Sequence, residues 1–424
     1  MKILFTSYAV PPVYAPGSMR IFNFAKYLSE QKDYTVEILH CSNPYDSMQD
    51  HNRKWDFGKI KLIPVADIFD KNNLISSDEP LNDPKSSVSK KIKIKVLKNM
   101  SDLVFPDRNI SWAVNVFRKK VLKNKYDYII SSYPSITNLI VGHYYSKLFK
   151  TPLIVDMRDL WTQDPNFSQK KSLRKRLESK IESDILSKSH KILTVSEFNA
   201  LQLSKIYGNK VEVIYNGFEN SKFKEFRLVN DIVHKESQIE DSKFKMAYAG
   251  SFYNGERNVD KLFKAIKSLK DKEIINENNF CFDIYGRKED YITQIIGKHQ
   301  LSELVSVKGL VNQDALFKKL DGYNLLLVVT RNAEISKGEM TTKVFEYIAL
   351  GNPILCLAKA DFEIVKVLND IDYTYCVDLD DEVVIENTLE SVIASDLEHH
   401  TKRKLSFDFS RDTMSDKLKN ILEK

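Results

Sequence analysis

Lys343 and Glu346 stand three residues apart in the stretch EMTTKVFEYIALGNPIL at 339–355. On a helix that spacing puts both on one face. Phe345, Ile348 and Ala349 form an apolar stripe, and Gly351 with Pro353 marks a helix end before a strand. A cation and a carboxylate are thus expected near a helix N-terminus, where free backbone N–H groups and the helix dipole favour anions. A nucleoside diphosphate suits such a place. Its phosphates would lie on the helix end, at Thr342 and Lys343, and its ribose hydroxyls on Glu346. The competing reading is an exposed ion pair on an ordinary helix.

A second cluster is Asp156-Met157-Arg158-Asp159-Leu160-Trp161, directly after an apolar run. Two carboxylates and a guanidinium at a strand end suit the hydroxyls of a sugar, with Trp161 stacking on the sugar face. Asp156 or Asp159 could take a proton from an attacking hydroxyl. The alternative is a structural Asp–Arg pair closing the strand. A third group is the loop Gly250-Ser251 through Gly255-Glu256-Arg257, leading into a helix. Arg257 is placed to bind two phosphate oxygens with its planar fork. Gly286-Arg287 and Gly309-Leu310-Val311 also follow strand patterns and are assigned to wrapping a base or a diphosphate. Gly17, in a loop with Pro11, Pro12 and Pro16, lets backbone approach a ligand closely. The loop is not a GxGxxG. Asp378-Leu379-Asp380-Asp381 imitates a metal motif, but a turn and helix cap explain it better.

These residues need elements to hold them. Strand and helix patterns alternate through most of the 424 residues, which argues for parallel sheets with helices on both faces. Strand patterns precede each candidate group. Residues 41–110 are irregular and polar. The expected division is an N-terminal Rossmann-like domain over 1–225, joined by the C-terminal helix 405–424. A linker covers 226–242, and a second Rossmann-like domain covers 243–404. Two doubly wound domains bind ligands beyond the carboxyl ends of their strands.

Apolar residues make up 42% of the chain and the net charge is +6, with a pI near 8.7. That charge is too small to argue for nucleic acid, and no aromatic–basic signature accompanies it. Cys41, Cys281, Cys356 and Cys376 are too far apart for metal-ligand spacing. The chain runs from Met1 straight into a strand pattern, and no apolar run reaches the ~20 residues that span a bilayer. The expected place is the cytoplasm, with peripheral membrane contact. Two segments bear on that contact: the basic helix near 168–187 and the Lys90–Lys98 segment. The helix carries Lys170, Lys171, Arg174, Lys175, Arg176 and Lys180, with Leu173, Leu177, Ile181 and Ile185 at helical spacing. Its preferred reading is a core-packed stripe under a solvated basic face.

Taken in order, these motifs resemble the retaining glycosyltransferases of family 4, with the GT-B fold. The resemblance rests on the opening strand with its proline–glycine loop, and on Phe105-Pro106-Asp107 followed by Trp112. It continues through Asp-x-Arg-Asp-x-Trp at 156–161, Thr194-Val195-Ser196-Glu197 and Tyr215-Asn216-Gly217-Phe218. It ends with the 250–257 loop and Lys343-Val344-Phe345-Glu346-Tyr347 before Gly351-Asn352-Pro353. The Asp-x-Arg-Asp-x-Trp form is typical of members that build bacterial surface polysaccharides. The resemblance implies transfer of a sugar from a nucleotide diphosphate sugar, UDP ahead of GDP, to a saccharide acceptor. It further implies a lipid-linked acceptor, retention, and no metal or other cofactor. Of the family's E-x7-E motif, the second Glu falls on Glu346 and the first on Gly338; Glu334 and Glu339 are near but out of register. Ser251 stands where many members have a phosphate-binding Arg, which leaves that task to Arg257 and Lys343. Arg158 matches the strand-end position where many members have a His. Two alternatives stay open: a nucleotide-sugar epimerase of this fold, and a binding protein that has lost catalysis.

Overall fold

The computed structural model describes residues 1–13, 16–44, 55–68, 104–169, 172–220, 223, 243–396 and 409–424. The chain divides into two compact units: Met1–Tyr215 with Met414–Lys424, and Asn216–Thr413. The expected linker at 226–242 and the Lys90–Lys98 segment lie outside the described residues.

In the first unit the strands are β1 (Lys2–Thr6), β2 (Thr35–Cys41), β3 (Lys61–Val65), β4 (Tyr128–Tyr133), β5 (Leu153–Met157), β6 (Lys191–Thr194) and β7 (Val211–Val213). They form one parallel sheet in the order β3-β2-β1-β4-β5-β6-β7. Its helices are α1 (Pro16–Glu30), α2 (Ile110–Lys119), α3 (Ile136–Phe149), α4 (Ser172–Lys188) and α5 (Glu197–Tyr207). Central strands such as β1 and β5 are buried on both faces, which is why they read as unbroken apolar runs. Strand order reverses between β1 and β4, so the carboxyl ends of these two strands open onto the switch point. Within 41–110, expected to be irregular, lies the edge strand β3. Its Pro64 pairs with His40 at the sheet margin, where a missing N–H is tolerated, and the proline hides the strand pattern.

Helix α4 corrects one expectation. Leu173 and Leu177 are exposed, at 70% and 42%, whereas Glu178, Glu182, Ile185 and Leu186 are buried. The helix turns two carboxylates inward because the loop before it offers them donors. Trp161 Nε1 donates to Glu178, and Thr162 N and Gln163 Nε2 donate to Glu182.

The second unit has β8 (Phe244–Ala249), β9 (Phe280–Tyr285), β10 (Val305–Gly309), β11 (Leu325–Val329), β12 (Ile354–Leu357) and β13 (Thr374–Val377). These too are parallel, in the order β10-β9-β8-β11-β12-β13. The helices are α6 (Asp260–Asp271), α7 (Asp290–Lys298), α8 (Gln313–Leu320), α9 (Thr342–Leu350), α10 (Glu363–Asn369) and α11 (Glu382–Asp396), and α12 (Arg411–Leu422) leads back into the first unit. The switch point here lies between β8 and β11. Gly351 closes α9 in the left-handed conformation, its N–H bonded to Tyr347 O, as a glycine C-cap does. Asp381 caps α11 by accepting from Val384 N, and Lys359 pairs with Asp378 and Asp380.

Candidate functional site

The second unit gathers its candidate residues at the switch point. β8 ends at Ala249, and Gly250 takes φ +146, a conformation L side chains rarely adopt. A Cβ on Gly250 would lie 2.2 Å from Lys343 Nζ. The glycine therefore makes room for a lysine arriving from the first turn of α9. Gly286, after β9, packs so closely that a Cβ there would meet Gly250 O at 2.1 Å. The Lys343 ammonium lies 4.3 Å from the Tyr248 ring centroid, a cation–π contact. No carboxylate among the described residues lies within ion-pairing distance of it. Burial first, and the neighbouring Arg257 second, push its pKa down to about 7, against the pull of Glu346 and Glu339.

Arg257 is buried. Its Nη2 donates to Glu339 Oε1 at 2.7 Å, and Nη1 reaches Tyr248 Oη and Ser251 O at 3.4 Å each. Its Nε is buried with no hydrogen-bond partner among the described residues. Arg257, Glu339, Lys343, Thr330 and Thr341 line one recess. Arginine and lysine, expected from sequence to share a diphosphate, thus converge in one place. Gly338, one residue before Glu339, is buried.

Ser251 ties its own loop together. Its hydroxyl donates to Glu289 and accepts from Tyr253 N. Glu289 also accepts from Phe252 N and Asn254 N, so one carboxylate from the start of α7 shapes the whole loop. Glu346 accepts from Gln313 Nε2 at 3.0 Å, across from the start of α8. Arg287 is exposed, and Val311 and Thr342 are partly exposed near their strand and helix ends. Arg331, just beyond β11, escaped the sequence reading. Its guanidinium and that of Arg257 each lie 4.9 Å from the centroid of the same ring, Tyr253, and Arg331 pairs with Glu256 at 3.1 Å. A lone arginine 75 positions after Glu256 leaves no local signal.

In the first unit Asp156 is fully buried. Arg20, from α1, grips it with Nε and Nη2 at 3.0–3.2 Å, and Ser132 donates to it at 3.0 Å. Arg20 also holds Ile214 O and Tyr215 O. With all its donors inside the protein, Asp156 braces the sheet end and offers no open carboxylate to an acceptor. Trp161 is 2% exposed and stacks on Tyr133 with centroids 5.4 Å apart. Its ring face is taken by that tyrosine, so it cannot serve as a platform for a sugar. Arg158 and Gly17 do come together: a Cβ on Gly17 would meet Arg158 Nη2 at 2.6 Å. Arg158 Nε donates to Tyr133 O, and burial draws the guanidinium pKa below its ordinary value, opposed by Asp159 and Asp156. Its Nη groups have no hydrogen-bond partner among the described residues. Asp159 is exposed beside it. Among the described residues no three of His, Cys, Asp and Glu come together as metal ligands.

No protein-family model matches the sequence, and no curated protein matches it. Solved structures do. The chain is similar to sucrose-phosphate synthase from Thermosynechococcus elongatus, at 12% identity and a TM-score of 0.64, over 100% of this chain and 98% of the other. It is similar to Anabaena Alr3699/HepE in complex with UDP and glucose, at 14% identity and 0.55, over 100% and 99%. It is also similar to a glycosyltransferase from Rickettsia africae, at 13% identity and 0.55, over 100% and 97%. Identities this low speak for architecture alone. Two α/β units, each a parallel sheet flanked by helices, give this chain the GT-B fold.

Proposed function

We propose that the protein is a glycosyltransferase that moves a sugar from a nucleotide diphosphate sugar, UDP ahead of GDP, to a hydroxyl of a saccharide acceptor. The observation that carries this reading is the convergence of Arg257 and Lys343 in one recess at the β8–β11 switch point. Glu346 stands one turn further along α9, held by Gln313. Phosphates on the two cations and ribose hydroxyls on Glu346 fit that spacing. The structural relative HepE was solved with UDP and with UDP-glucose, which supports the same donor class.

The chemistry follows from charge. The bond between the anomeric carbon and the phosphate oxygen breaks, and its electron pair goes to the leaving diphosphate. Arg257 and Lys343 stabilise that charge in a partly desolvated recess. The acceptor oxygen bonds to the anomeric carbon, and its proton passes to the leaving phosphate on the same face, so configuration is retained. The cations take the place of a metal. The acceptor side is assigned to Gly17, Arg158 and Asp159 of the first unit.

A lipid-linked acceptor in surface-polysaccharide assembly is the finer part of the proposal. Helix α4 supports it by exposing Leu173 and Leu177 beside Arg176 and Lys180, as a surface meeting anionic lipid would.

Thermal melts with UDP, GDP, ADP, CMP and NAD, in EDTA, test the donor site. A ligand at 100 times its Kd that binds only the folded protein adds about 2.7 kcal/mol. A selective shift with UDP, lost in Lys343→Ala and Glu346→Ala, is expected. No shift with any nucleotide would remove the donor site. Metal dependence of the shift would remove the metal-free part.

A further inference from the structure

We propose that Glu339 occupies, in the ligand-free protein, the place on Arg257 that a donor phosphate takes, so that the donor binds by displacing an internal anion. The inference rests on the nucleotide-sugar reading above and deepens it.

Glu339 Oε1 sits 2.7 Å from Arg257 Nη2, and its Oε2 accepts from Ser336 Oγ at 3.2 Å. A carboxylate and a phosphate both present paired oxygens to a guanidinium fork, so each satisfies the same donors. The two partners differ in freedom. The Arg257 side chain is 8% exposed and packed under Tyr253, whereas that of Glu339 is 27% exposed. Glu339 also follows a short 3-10 turn, Glu334–Gly338. The carboxylate therefore has a way out, and the guanidinium does not. Two details show that the carboxylate is an incomplete occupant. Among the described residues Arg257 Nε stays buried without a hydrogen-bond partner, and Lys343 Nζ, in the same recess, has no carboxylate within ion-pairing distance. One internal negative charge faces two basic side chains, and a diphosphate brings more charge and more oxygens than Glu339 supplies.

The consequence is a threshold. An anion has to outcompete a carboxylate already in place, which disfavours weakly charged ligands. Glu339 then shapes donor selectivity from one position beyond the register of the family's paired glutamates.

Calorimetric titration of the full chain with UDP, and separately with inorganic pyrophosphate, tests this. Pyrophosphate probes the recess without the ribose and base. Glu339→Gln and Glu339→Ala should each bind both ligands at least tenfold more tightly than wild type. Arg257→Ala should bind them more weakly, and adding Glu339→Gln to Arg257→Ala should restore nothing. Melting curves confirm that each variant folds. Equal or weaker binding by both Glu339 variants, with Lys343→Ala still weakened, would overturn the displacement while leaving the donor site intact. If wild type binds neither ligand, the donor reading and this inference fall together.

Discussion

Lys343 is the residue on which the proposed donor site turns, and its unusual state follows from packing. A lysine placed over a tyrosine ring, beside an arginine and without an ion-paired carboxylate, loses its proton early, with its pKa pushed down to about 7. Two opposite pH slopes follow. The unfolded chain keeps that proton up to the ordinary lysine value, so between about 7 and that value the unfolded state binds more protons and stability rises with pH. Anion binding favours the ammonium, so UDP affinity should be full below about pH 7 and fall above it. Titrations from pH 6 to 9 should show that fall in wild type and a flat profile in Lys343→Arg; a flat wild-type profile would mean that Lys343 stays charged when empty. At this scale the sequence was partly legible. Lys343, Glu346 and Arg257 could be found because helix ends and strand ends carry local signals. Arg331, Arg20, Glu289 and Gln313 could not, because each works through a partner far away in the chain. Asp156 illustrates the converse: its type suggested chemistry, but Arg20, 136 residues away, consumes it.

At the scale of elements, the loop after β5 is held by the inward carboxylates of α4, and the strand end by Arg20. Trp161→Phe removes one donor to Glu178, whose other oxygen keeps Arg174, and should cost about 1–3 kcal/mol of stability. Transfer activity should persist, since the ring already faces Tyr133. Arg20→Ala leaves a buried carboxylate unpaired and should cost more, about 3–5 kcal/mol. Denaturant melts and a transfer assay separate the two, and a Trp161→Phe protein that is stable but inactive would return the ring to the acceptor site. Glycines divide likewise. Gly286→Ala places a methyl against backbone at 2.1 Å, which cannot yield, so Tm and UDP binding should both drop. Gly17→Ala meets only the Arg158 guanidinium, which can slide, so Tm should hold while transfer falls. A normal Tm in Gly286→Ala would show that this strand end is looser than its contacts imply. Of the α4 stripe Ile181 and Ile185 do pack on the core; Leu173 and Leu177 do not, and nothing local reveals that a tryptophan and a loop amide will claim the glutamates opposite.

Across the whole molecule, alternation of strand and helix patterns carried the fold. Central parallel strands are buried on both faces and announce themselves, as Leu153–Met157 and Leu325–Val329 do. The edge strand Lys61–Val65, half exposed and interrupted by proline, did not. What remained hidden was the pairing of distant segments, such as Arg20 with Asp156; the closing helix α12 lies within the 405–424 helix expected to join the first domain. Met414, Leu418 and Leu422 are buried and belong with the first unit. Ending the chain after Thr413 removes three apolar side chains worth about 1.5–3 kcal/mol each. Limited proteolysis of that truncated protein should degrade the first unit before the second; equal resistance would mean that α12 adds little to it. The order of synthesis makes the same point. A ribosome delivers the second unit as one uninterrupted piece, whereas the first, begun earlier, waits for a helix encoded beyond it. Translation therefore completes the second unit first, and the newborn N-terminal half lacks its last helix until α12 emerges.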